Sequence, residues 1–598
     1  VGENAGTATT GSDNTGIGRH ALTANTSGIN VAVGYRALDA NTTGTSNTAV
    51  GHDALGTNVA GDQSVAVGYE TLLTQNPSGN ADMNNTAVGY RAMRESTTGA
   101  NNTAVGVRTL DANTTGGSNT AFGADALGAN TTANNNTGVG QSALLANTTG
   151  GTNTAVGYVA GTANTTGANN TFLGSTAGDA NTTASQNTAV GSAALSANTT
   201  AGDNTAVGFS ALAANTTGTY NTAVGSQAGA AIAGDGNYNT LIGAIAGDAI
   251  TTGDDHTAVG RGALSACTTP SGNTAIGSVA LEALTTAGAN TATGYKAGGA
   301  VTTGDGNTLF GHQAGDALTT GHHNVFIGRD AGGATTTSAH NIAIGYNAAQ
   351  VNDTGDGFVV IGYRSGAALT AGSTQNTFVG YEAGASVTTG DYNTLVGGGA
   401  GDAQTTASNS TFVGFGAGGL VTTGESNTLL GSHAGDAVTT AANNTIVGHQ
   451  AGSAITTGGS NTAVGQLSLH LTTTGAGNTA LGVNALYANT TGANNTGLGY
   501  LALDANTTGA SNTAVGINCL TTNTTASNNT AVGNYALGLN TTGTNNNAVG
   551  VNALYANTTG QSNCAFGAYA LDANTTANDI TAFGHHALGA NTTGGPNN

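Results

Sequence analysis

Residues 47–51 read Asn-Thr-Ala-Val-Gly, and the same five residues return at 102–106, 204–208, 221–225 and 512–516. Aligned on the closing glycine, degenerate copies run from Gly18 through Gly34, Gly51, Gly68, Gly89 and Gly106 to Gly584. There are 34 such anchors, and 29 of the 33 intervals are 17 residues long. The exceptions are 16 (Gly18 to Gly34), 21 (Gly68 to Gly89) and 18 twice (Gly225 to Gly243, Gly362 to Gly380). A period this short leaves room for one solenoid coil and none for a helical hairpin. Within a copy, Thr48-Ala49-Val50 has strand composition, while Ala40-Asn41-Thr42-Thr43-Gly44 carries turn residues. Gly and β-branched Thr recur in every window long enough for a helix, which disfavours one. The expected fold is all-β: a parallel β-solenoid, or β-roll, of about 34 coils with a 17-residue repeat.

Of 598 residues, 99 are Gly, 3 are Pro and none is Trp. Charged residues are 7% of the chain, against about 25% in ordinary domains. With 9 Lys+Arg against 30 Asp+Glu the formal net charge is -21. Too few cations are available to neutralise phosphates, so no nucleic-acid partner is expected, and a basic membrane-surface protein is excluded on the same ground. No run approaches 18 apolar residues, so no membrane insertion is expected of this chain. It opens at Val1 without a basic-then-apolar leader and reads as a processed chain or a fragment. Cys267, Cys519 and Cys564 fall at three different phases of the repeat, so no disulfide or metal ladder is expected from them.

The residue before the anchor is apolar in 33 of 34 coils (Val50, Val105, Ile276, Phe310), Thr293 being the exception; the residue two before is usually Ala. Successive strand residues face opposite ways, so these two lie on different sides. Four residues after the anchor stands Leu (Leu38, Leu55, Leu127, Leu503) or Gly (Gly229, Gly298, Gly435). When it is Leu or Met93, the residue two before the next anchor is Ala or Gly in 19 of 19 cases; when it is Gly, that residue is large in 9 of 13, as at Leu241, Phe326 and Phe412. Seven after the anchor, the Asn of Leu coils is mostly replaced in Gly coils by Ile250, Val301, Leu318 or Val438. Close packing conserves volume, so these positions share one core layer. The Val50-type side chains then face out, as an apolar stripe that a second chain is expected to cover. The exchange also marks three zones of one continuous rod: Leu coils over 1–224, Gly coils over 225–464 and Leu coils over 465–598. The insertion near residues 73–85 is expected as a surface loop.

Asn stands four before the anchor in 29 of 34 coils, as Asn47, Asn102, Asn204 and Asn427. Identical amides stacked at the strand spacing can bond along the axis, so these are expected to form a structural ladder, with Thr42-Thr43 and Thr114-Thr115 adding hydroxyls. Asn-Thr-Thr also satisfies the N-glycosylation pattern many times over.

Asn-Thr-Ala-Val-Gly followed by Ala-Leu and a polar turn resembles the left-handed β-roll heads of trimeric autotransporter adhesins. It is similar also to the repeat regions of bacterial and phage tail-fibre-domain proteins that end in a self-cleaving intramolecular chaperone. The resemblance spans essentially the whole chain. It implies a left-handed homotrimer, an exterior location at a cell surface or virion, and adhesive or fibre function. The adhesin heads have repeats shorter than 17, a departure that bears on coil geometry.

Tyr or Phe follows the anchor directly in 11 coils, among them Tyr35, Tyr69, Tyr90, Tyr346, Tyr381 and Tyr500. Rings at a repeated external position can contact sugars or a neighbouring fibre, or simply cover the edge of the Ala-rich groove. The pairs His322-His323 and His585-His586 lie at turn or near-anchor positions, with no carboxylate or Cys at ligand spacing, and read as solvated. Gly253-Asp254-Asp255, Asp235-Gly236-Asn237 and Asp305-Gly306-Asn307 offer oxygens to Ca2+, but the calcium β-roll signature is absent; no cofactor is expected, with Ca2+ the minor alternative. Gly397-Gly398-Gly399 lacks the Lys and the strand-to-helix context of a phosphate loop. No catalytic signature stands out, so an enzyme is not expected. The function expected is a structural extracellular fibre or adhesin shaft whose main partner is itself, with a host surface or glycan as a further partner. The alternatives are an end-to-end matrix or sheath filament, and an ice- or polysaccharide-binding solenoid.

Overall fold

Thr and Val on either side of a small Ala suit a strand that buries one face and leaves the other open. The computed structural model, which describes residues 2–7, 9–353, 355–370 and 372–595, places a three-residue strand at each repeat, as at Thr48–Val50 and Thr205–Val207. No helix occurs among the described residues, so none is long and apolar enough to cross a membrane. The chain falls into two compact units, residues 1–303 and 304–598. In the first, parallel strands run in register from Thr15–Ile17 to Thr291–Thr293, each pairing with its equivalent one repeat later, as Thr188↔Thr205 and Val190↔Val207. The second repeats the arrangement from Thr308–Phe310 to Thr581–Phe583. Both are parallel β-solenoids with a coil of about 17 residues.

Inside each coil, Ala49, Ala54 and Leu55 are fully buried, while Val50 on the opposite side of the strand is 36% exposed. The volume exchange has a direct steric cause. A Cβ on Gly161 or Gly178 would lie 2.6 or 2.4 Å from the ring of Phe172. One on Gly247 would lie 2.6 Å from Ile250 Cδ1. A large residue two before the anchor, or seven after it, therefore takes the space that Leu fills elsewhere.

Seventeen residues close a turn through unusual backbone. The residues five before, two after and four after the anchor adopt left-handed conformations, as Ser46 (φ 59°), Asp53 (φ 56°) and Leu55 (φ 49°). The anchor has φ near 140°, as in Gly51, and its Cβ would lie 2.1 Å from the carbonyl oxygen of Gly68. Only glycine meets both demands. Each left-handed Leu costs on the order of 1–2 kcal/mol, offset by its complete burial.

Two amide ladders run along the coils. Asn102 Oδ1 accepts the Asn119 N–H at 2.9 Å, and its Nδ2 donates to the Gly116 carbonyl at 2.9 Å. Asn47, Asn204 and Asn427 do the same with the next coil, so this ladder ties side chain mainly to backbone. Amide-to-amide bonds join some coils of this ladder, as Asn444 Nδ2 to Asn427 Oδ1 at 3.1 Å, and recur coil after coil at the Asn seven after the anchor, where Nδ2 of Asn130, Asn147, Asn164 and Asn181 donates to the preceding Oδ1 at 2.7–2.9 Å. These are the Asn of Asn-Thr-Thr. Asn147 is fully buried and its Nδ2 also donates to Gly150, so the glycosylation pattern presents no free amide there. Of the Thr pair, Thr114 donates its hydroxyl to the Thr131 carbonyl at 3.0 Å, and Thr115 is exposed.

The insertion before Gly89 departs from the surface loop expected over 73–85. Ser78, Gly79 and Asn80 are exposed, but Ala81–Asp82 pairs in parallel with Gly61–Asp62 and Met83 is buried. An apolar side chain placed against Gly61 draws the extra residues inward; a Cβ on Gly61 would sit 3.1 Å from Met83 Cγ.

Candidate functional site

The tyrosines of the surface array are all part-exposed, from 39% at Tyr35 and Tyr346 to 60% at Tyr381. The coil repeat stacks them in two runs. Tyr35, His52, Tyr69 and Tyr90 follow one another with centroids 4.9, 5.0 and 5.4 Å apart. Arg91 lies 5.3 Å from the Tyr90 ring, and its Nε is 3.0 Å from Glu70. In the second unit Tyr346, Tyr363 and Tyr381 stack at 5.4 and 5.2 Å. Tyr500, 51% exposed, lies apart from these runs in the chain.

The second run ends at a gap. In the coil after Tyr381 the equivalent residue is Gly398, and the next ring is Phe415, 64% exposed. Gly399, Gly416 and Gly419 remove further side chains from the same two coils. The result is an open groove of about 630 Å3 lined by Tyr381, Phe415, Glu382, Asp402, His433 and Asp436. The Phe415 ring leans over Gly398, whose Cβ would be 3.4 Å away, and meets His433 edge-on at 5.3 Å and 81°. His433 Nδ1 lies 3.4 Å from Asp436 Oδ2. Burial pushes the Asp402 carboxyl above its ordinary range, partly countered by backbone N–H groups. Two exposed rings flanking a glycine floor, with three carboxylates and one imidazole, suit a neutral polyhydroxylated ligand or a cation, and repel anions. Gly397-Gly398-Gly399, noise as a phosphate loop, acquires meaning only in register with Gly416, one repeat after Gly399. Reading the glycines coil against coil was the available signal.

Two of the acidic turns considered for Ca2+ also hold neighbouring coils. Asp254 Oδ1 accepts the Asn237 N–H at 2.6 Å, and Asn237 Oδ1 accepts the Thr219 N–H at 2.7 Å. Asp356 and Asp391 hold the preceding coil in the same way. Burial pushes the thiols of Cys267 and Cys519 up to about 12, which makes them poor nucleophiles; all three cysteines are unbridged. Compared with known proteins, the sequence matches no family model and no curated protein.

Proposed function

We propose that this protein is the shaft of an extracellular fibre or adhesin, a left-handed β-roll that assembles with copies of itself, as a homotrimer, at a cell surface or virion. The observation that carries the reading is the outward column of Val50-type residues. It spans 17 coils in each unit, about 80 Å at roughly 4.8 Å per coil, and its members stay part-exposed, as Val156 at 39%, Ile242 at 40% and Val413 at 38%. Soluble monomers rarely leave so long an apolar patch bare. Around a threefold axis along the strand stack, the same column from three copies can meet in one apolar seam, and the rotation closes the assembly. The test is the solution mass by light scattering. Three chains of 57.2 kDa are expected; a monomer at micromolar concentration overturns the reading, and open-ended growth favours the sheath-filament alternative.

The groove between Tyr381 and Phe415 supports a second role, contact with a polysaccharide. Rings present a face to the C–H side of a pyranose while Glu382, Asp402 and Asp436 accept its hydroxyls. Binding on a neutral-glycan array, weakened about tenfold by Phe415→Ala, is the expected result. Binding unchanged in that variant would move any glycan contact elsewhere.

A further inference from the structure

The most unusual side-chain cluster outside the groove lies on exposed turns of the second unit. His322 and His323 precede the strand Val325–Ile327, and His340 precedes Ile342–Ile344. His340 follows His323 by one repeat, so both stand five before an anchor, in left-handed backbone (φ 55° and 61°) that turns their side chains outward. Their rings stack at 5.5 Å and 18°. His322 meets both edge-on, at 5.1 Å from His323 and 5.3 Å from His340. One ring nitrogen from each lies within 4.8 Å of the other two. The backbone holds the cluster in place: His323 N–H donates to the Asp305 carbonyl at 2.9 Å and His340 N–H to the His322 carbonyl at 3.2 Å. Glycines bracket the stack, Gly306 one coil before and Gly357 one coil after, both in the left-handed conformation.

A ring stack at this coil position does not by itself call for a ligand. Tyr220 and Tyr238 occupy it in the first unit, face to face at 5.2 Å and 2°. What differs here is the third ring, whose nitrogen converges with the other two. The chain has 12 histidines in 598 residues, and these three share two adjacent coils.

We propose that His322, His323 and His340 bind a late first-row transition-metal dication of the zinc, nickel or copper type through three imidazole nitrogens, leaving its remaining positions to water. Imidazole prefers these ions to Ca2+ or Mg2+, and a net charge of -21 draws cations to the surface. Metal–nitrogen bonds of about 2.0–2.1 Å put three ligands of one tetrahedral ion roughly 3.3 Å apart. From within 4.8 Å, the contraction this asks for falls to the side-chain torsions of exposed His323 and His340 and half-buried His322.

The experiment is calorimetric titration of the chelator-treated full chain with Zn2+. One site per chain is expected, with a dissociation constant of about 10 μM or tighter. His340→Tyr keeps a stacked ring, as Tyr220 and Tyr238 show, and removes one ligand; His322→Ala installs the residue that Ala339 supplies one coil later. Each is expected to weaken this site at least about tenfold with an unchanged circular dichroism spectrum. Replacing His585 and His586 with Gln is expected to leave it intact. The proposal is overturned if the wild-type chain takes up no Zn2+ in this range, or if both His340→Tyr and His322→Ala bind it as the wild type does.

Discussion

His256 shows how strictly the coil geometry dictates side-chain chemistry. It stands where neighbouring coils have the ladder Asn and is fully enclosed. Its Nδ1 accepts the Asn273 N–H at 3.2 Å, the part played by an Asn Oδ1, so the proton sits on Nε2, which donates to the Pro270 carbonyl at 2.6 Å as an Asn Nδ2 does. A protonated ring has no acceptor to offer. Burial pushes the His256 pKa below its ordinary value, with Pro270, Asn273, Asp254 and Asp255 partly opposing. The stabilisation from the neutral ring is therefore complete above the unfolded value, about 6.5, and is lost as pH falls from there through the lower folded value. Amide exchange at Asn273 is expected to accelerate, relative to its intrinsic rate, as the solution is acidified below about pH 6.5, and His256→Asn is expected to abolish that excess. An equal response in the variant would mean that this bond does not report the ring's titration. The recurrence of Asn in the sequence was enough to show that a ladder exists. It did not show where each amide points, because a period says which residues stack and not which atoms meet; hence amide-to-amide bonds run through Asn130 and Asn147, while in the expected ladder Asn427 takes part in one and Asn102 bonds only to backbone.

At the level of the coil, the exchange between Leu and Gly types was legible because both partners of a packing contact vary together along one chain. Phe172 lies between Gly161 and Gly178, each too close for a Cβ. Gly161→Leu alone forces overlap with that ring and is expected to cost about 3 kcal/mol, at the upper end for overpacking. Phe172→Ala alone leaves a cavity and is expected to cost about 3–5 kcal/mol. The triple change Gly161→Leu, Phe172→Ala and Gly178→Leu rebuilds the Leu–Ala–Leu arrangement of Leu110, Ala121 and Leu127. Because the backbone of Leu coils holds Leu at φ near 50°, it should melt within a few degrees of wild type. Thermal unfolding of the three variants measures this directly, and additive losses would show that the sites do not share one layer. What the sequence concealed was the backbone itself. Leu55 at φ 49° carries no compositional sign of a left-handed conformation, since its burial overrides a preference that Gly or Asn would have announced.

For the whole molecule, the face proposed to govern assembly is also the one a single chain can spare. Val190, Val207 and Val224 lie on adjacent strands in register and are half-buried in the lone chain. Thr293 shows that a polar residue fits the same coil position. Replacing the three valines with Lys removes little core, because the side chains already face outward over buried Ala189, Ala206 and Ala223; the monomer should lose no more than about 0.5 kcal/mol per site, as surface changes do. In an assembly the same substitutions bring like charges from each copy into one apolar seam, where desolvating an unpaired ammonium costs several kcal/mol. The variant is therefore expected to keep its β-sheet circular dichroism and to run at one-third of the wild-type mass by light scattering. If it instead retains the full mass, the copies meet through another surface, and the exposed aromatic run from Tyr35 to Tyr90 becomes the face to alter next. If it unfolds, the valine column is bound up with the stability of the single chain, and the assignment of that face to self-association falls.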